Sequence, residues 1–105
     1  TLKIEGCKNL GTDLFVIPKG CQITSLNIFN SSITVQQINS LLKNCTGPLT
    51  LNIEGCRNFG TDLFVIPEGC QITFLNVGFS SITANQINSL LQGICGCIDQ
   101  FCFRL

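Results

Sequence analysis

Residues 23–33 read ITSLNIFNSSI and residues 72–82 read ITFLNVGFSSI, one phrase written twice, 49 positions apart. Sliding the chain on itself by 49 aligns residues 1–44 with 50–93, and 32 of those 44 positions are identical, which marks an internal duplication. A shorter beat runs inside each copy. TLKIEGC, SLNIFNS, TLNIEGC and FLNVGFS set Leu2, Leu26, Leu51 and Leu75 at intervals of 24, 25 and 24 residues, so the true unit is about half a copy. A fifth, degenerate beat comes in IDQFCFRL, where Ile98, Phe101 and Phe103 copy the spacing of Ile23, Leu26 and Ile28. The chain therefore reads as one repeat domain over 1–105, with 1–49 and 50–98 as tandem double copies and 98–105 as a terminal strand.

Each beat alternates apolar, any, apolar, as in Leu26-Asn27-Ile28, which sends successive side chains to opposite faces of a short strand. The segment after the strand differs between half-units. In SSITVQQINSLLKN, Thr34 precedes Gln37 at capping-box spacing, and Ile38, Leu41 and Leu42 form one helical face; Thr83, Gln86, Ile87, Leu90 and Leu91 repeat the pattern. GTDLFVIPKG is instead rich in β-branched residues and ends at Pro18, as its twin ends at Pro67, so both read as extended chain. A single strand–turn–segment unit cannot shelter its apolar side, and only stacked copies share a continuous core.

Composition narrows the function classes. Six basic and six acidic residues leave no net field to attract nucleic acid or an anionic membrane, and no apolar run approaches membrane-spanning length. Charged residues make up 11% of the chain against 45% apolar, a thin polar coat that predicts association. Eight cysteines, with acceptor sequons at Asn30 and Asn44, predict a secreted glycoprotein in an oxidising compartment. Histidine is absent and Cys95-Gly-Cys97 lacks a zinc-knuckle spacer, so neither a metal nor another cofactor is expected. A serine or cysteine nucleophile would lack its usual base, which argues against an enzyme.

Cys21, Cys45, Cys70 and Cys95 precede their strands by five or six residues and form one column. Neighbouring strands lie about 4.8 Å apart, inside the Cα range of a disulfide, so Cys21–Cys45 and Cys70–Cys95 are candidate bridges. The competing reading takes the column as small apolar filler with free thiols.

The frame Ile23-x-x-Leu26-x-Ile28-x-x-Ser31-x-Ile33, with Leu41 and Leu42 after it, resembles the leucine-rich repeat family across essentially the whole chain. LKIEGC and LNIEGC are similar to its cysteine-containing subtype, with Cys7 and Cys56 where other units carry a buried asparagine; Ser31 and Ser80 hold that position here. The resemblance implies an α/β solenoid, a right-handed coil of about five turns with one parallel sheet and alternating helical and extended convex segments. It further implies that Cys7 and Cys56 pack as buried thiols, and that such a sheet face is used mostly to bind proteins or glycans.

Lys3, Asn27, Asn52, Asn76 and Cys102 form one column of the exposed sheet face, and Glu5, Phe29, Glu54, Gly78 and Arg104 the next. Stacked asparagines hydrogen-bonding one another would make a structural ladder, and the absence of tryptophan and tyrosine favours that over a ligand surface. No polar cap is visible at the apolar ends, Leu2 and Ile4 at one and Phe101, Phe103 and Leu105 at the other, so either further repeats or end-to-end docking is expected to cover them. The expectation is a non-catalytic, secreted structural protein that self-associates head to tail into a filament or extracellular assembly. The alternative is a recognition segment of an adhesin or receptor ectodomain, binding protein or glycan through the sheet face.

Overall fold

The structure, a computed structural model, describes residues 1–92 and the backbone of residues 100–102. Its elements, in chain order, are β1 (Leu2–Lys3), β2 (Ile23–Asn27), α1 (Val35–Leu42), β3 (Cys45–Asn52), β4 (Cys70–Asn76), α2 (Ala84–Leu91) and β5 (Gln100–Cys102). The strands form one parallel sheet in the order β1-β2-β3-β4-β5, each paired with the next in sequence, so the architecture is α/β. The units beginning at Thr1, Ser25, Thr50 and Phe74 are numbered first to fourth.

Hydrophobic spacing sets the register. Leu2 lies opposite Leu26, Leu26 opposite Leu51, Leu51 opposite Leu75, and Leu75 opposite Phe101. A slip of one residue would turn each of these side chains to the other face, so burial of one face fixes the pairing. Leu26, Ile28, Leu51, Ile53, Leu75 and Val77 are buried behind the sheet with Ile38, Leu41 and Leu42 of α1 and Leu90 of α2. In the third unit Phe59 and Phe64 complete this core, their rings edge to face at 5.6 Å.

Both helices start where the capping box places them. The Gln37 N–H donates to Thr34 Oγ1 at 3.1 Å and the Thr34 N–H to Gln37 Oε1 at 3.0 Å; Thr83 and Gln86 repeat the pair. Each cap satisfies donors that a helix start leaves without partners.

The segments leading to Pro18 and Pro67 adopt neither helix nor strand, and their backbone polar groups need partners from elsewhere. Helix side chains supply them. Gln37 Nε2 donates to the carbonyls of Leu10, Gly11 and Asp13, and Ser40 Oγ accepts from the Phe15 N–H. Gln86 and Ser89 do the same for Gly60, Asp62 and Phe64. On its other flank α1 holds the next segment, where Asn39 donates to the Leu63 carbonyl and accepts from the Val65 N–H. One short helix thus fastens the extended chain on both sides of it.

Candidate functional site

The column of cysteines is displaced from the geometry a bridge needs. Irregularities in the pairing put Cys45 opposite Ile23, two residues beyond Cys21, and Cys70 opposite Gly47, two residues beyond Cys45. Two residues along a strand combined with one strand spacing separate the Cα atoms by about 8 Å, beyond disulfide reach. Cys21, Cys45 and Cys70 are accordingly free thiols, Cys21 exposed and the other two buried. This corrects the expected Cys21–Cys45 bridge; the expected Cys70–Cys95 pair involves Cys95, which lies outside the described residues. Burial, with Cys70 nearby, pushes the Cys45 thiol up to about 12, and burial raises Cys70 as well.

The ladder cysteines part company. Cys56 is wholly enclosed: its Sγ donates to the Ile28 carbonyl at 2.8 Å and lies 3.9 Å from Ser31 Oγ, and burial raises its pKa. Cys7, expected to be a buried thiol, is exposed. Ile28 and Ser31 of the second unit cover Cys56, whereas among the described residues nothing packs on the outer side of the first unit. The same contrast runs through the surrounding apolar residues. Ile53 and Phe59 are buried in the third unit, while their counterparts Ile4 and Leu10 stay partly open; Leu2 is likewise half-buried, against full burial of Leu51. Leu14 and Val16 lack the helix-borne asparagine that fastens Leu63 and Val65, and Val16 is 90% exposed.

The exposed sheet face is wired differently from a ladder of asparagines. Asn27 donates to Glu5 Oε1 at 3.2 Å and Asn76 to Glu54 Oε1 at 3.4 Å, each reaching the carboxylate of the preceding unit. Asn52 and Asn76 also accept, through Oδ1, from the backbone N–H two residues on. Among the described residues the asparagines bond to glutamate and to their own chain, and Asn27 Oδ1 is buried without a hydrogen-bond partner. Lys3 is exposed on this face. Arg104, Phe103 and Leu105 fall outside the described residues, and Phe101 is described only through its backbone pairing with Leu75.

Just beyond the strands a second column runs across the units. Gly6, Asn30, Gly55 and Phe79 all have positive φ, at 68°, 54°, 75° and 52°. The Gly6 N–H donates to the Phe29 carbonyl, that of Asn30 to Glu54 and that of Gly55 to Gly78, so one left-handed turn is shared along the stack. Glycine suits this position and asparagine tolerates it, but a bulky side chain costs about 1–2 kcal/mol there. Phe79 bears that strain with its ring 46% exposed. Phe29, 41% exposed, and Phe79 both line an open groove of about 360 Å³, together with Asn30, Glu54, Gly55 and Arg57. A Cβ at Gly55 would lie 3.4 Å from Asn30 Cα, so the two backbones approach closely here.

Of the sequon residues, Asn30 is exposed, its Oδ1 accepting from Lys8 Nζ at 3.0 Å, and Asn44 is half-buried between α1 and β3. Among the described residues no group of three or more histidine, cysteine, aspartate or glutamate side chains is placed to hold a metal. No helix among them is long and apolar enough to cross a membrane. No protein family, curated protein or solved structure matches the chain.

Proposed function

We propose that the chain is a non-catalytic, secreted repeat protein, a leucine-rich-repeat-like solenoid of about five turns that assembles head to tail through its end units. The observation that carries this reading is the unequal burial of matching sequence: TLKIEGC is open where TLNIEGC is closed. The first unit presents Leu2, Ile4, Cys7 and Leu10 as the third presents Leu51, Ile53, Cys56 and Phe59 to the unit before it. A second copy stacking there would repeat a contact the chain already makes internally, and a heterologous contact of this kind extends instead of closing. The edge of β1 offers unpaired backbone groups to the same partner.

Sedimentation velocity over a range of protein concentrations tests it. Mass should grow with concentration. Cys7→Lys, a change at an exposed position, should abolish growth without unfolding the chain, and Phe103→Asp at the other end should do likewise. A wild-type chain that stays monomeric at every concentration, or a Cys7→Lys chain that still grows, overturns the proposal.

A second reading, recognition through the sheet face, is favoured by the exposed rings of Phe29 and Phe79. Neither ring is needed to close the core.

A further inference from the structure

The groove over Gly55 is left unexplained by packing, because the left-handed position that Phe79 occupies is met without strain by Gly6 and Gly55 in other units. An aromatic ring held out to solvent at a strained backbone position is the kind of outlier from which function is inferred. We propose that the groove is a saccharide-binding site that holds one neutral pyranose ring between Phe29 and Phe79. This deepens the recognition reading and is independent of assembly, since every lining residue belongs to the second, third and fourth units.

The walls, the charge and the hydrogen-bonding groups each favour that ligand. Aromatic faces carry partial negative charge, and a pyranose turns partly positive C–H bonds outward from its ring, so two such walls suit a flat, ring-shaped guest. Glu54 and Arg57 contribute one charge of each sign to the lining and Lys8 stands beside it on Asn30, so the mixed charges give no single-sign field, and a neutral polyol matches this better than an acidic or strongly basic segment does. Glu54 Oε1 and Asn30 Oδ1 are already held, by Asn76 and Lys8, which orients both side chains. Among the described residues Glu54 Oε2, Asn30 Nδ2 and the Arg57 guanidinium make no hydrogen bond, leaving acceptor and donor groups together on the rim. A pair of neighbouring hydroxyls both donates and accepts, so it can pair with both kinds of group. A few placed polar groups around aromatic walls is the general make-up of small-molecule sites.

The experiment is a titration of the full chain, its Asn30 unmodified by intact mass, monitored by amide NMR. The probes are the methyl pyranosides of glucose, mannose, galactose and N-acetylglucosamine. At least one should shift the Gly55 and Asn30 amides saturably, with a Kd on the order of 1 mM. Phe79→Asn, which places the residue of position 30 in the same turn, should fold and bind roughly tenfold more weakly or not at all; Phe29→Ala should weaken binding as well. Equal binding by wild type and Phe79→Asn, or no shift with any pyranoside, overturns the inference. A short neutral peptide titrated in parallel separates the failures: shifts with the peptide alone keep recognition and remove the saccharide, and shifts with neither remove both.

Discussion

The first and third units share most of their sequence and differ in what lies beside them. Cys56 donates to a carbonyl of the second unit inside a closed core, while Cys7 faces outward; Val65 is tied to Asn39, while Val16 is tied to nothing described. Residue identity therefore does not decide burial here. The neighbouring unit does, as expected where stability is a sum of units and the interfaces between them. Half of what the repeat encodes is a surface that becomes a core only when something stacks on it.

The sharpest way to break this comparison is to cut the same side chain in both units. Leu51→Ala should cost about 3–4 kcal/mol in denaturant unfolding, because the cavity is enclosed by units on both sides, and Leu2→Ala about 1 kcal/mol or less. Similar losses at both sites would mean that stacking does not set burial.

Alkaline titration addresses the closed side. The folded-state pKa of Cys45 is raised, so its thiol stays protonated in the folded chain after the unfolded chain has ionised. Stability should hold below pH 9.0 and fall between there and about 12, with Cys56 and Cys70 adding in the same direction. The slope contributed by each thiol is about 1.4 kcal/mol per pH unit while only the unfolded form is ionised. Cys45→Ala should flatten the alkaline limb; an unchanged limb would show that this burial does not matter to stability.

Asn39→Ala removes the fastening that distinguishes the two extended segments. It should cost about 1 kcal/mol and bring hydrogen exchange of the Val65 amide toward that of Val16. Asn88→Ala, at the matching exposed position of α2, should leave stability within about 0.5 kcal/mol. If the Val65 amide exchanges as slowly without Asn39 as with it, the helix is not what holds the segment.

The strand positions, the register of the leucines and both capping boxes were legible in the sequence because each is set by spacing within a few residues. Leu2, Leu26, Leu51 and Leu75 fall opposite one another as their intervals require. The cysteine column misleads because the intervals conceal where the extra residues sit: β3 and β4 absorb them as irregularities between cysteine and leucine, sliding each thiol past its neighbour. Cys7 misleads for another reason, since matching sequence does not bring matching surroundings. The groove is hidden because its lining is gathered from three units and includes a left-handed phenylalanine. Its one visible trace is Phe79 standing where Gly6 and Gly55 stand. The second duty of Gln37, holding three carbonyls of the first unit besides capping its own helix, also lies beyond what local spacing reveals.

Alkylation of Cys7 and Cys56, read by peptide mass spectrometry as protein concentration is raised, tests the stacking claim most directly. Cys7 should react quickly in dilute solution and slow progressively as copies cover it, while Cys56 stays slow throughout. A Cys7 that reacts at one fast rate at every concentration, or a Cys56 as reactive as Cys7, would contradict the account.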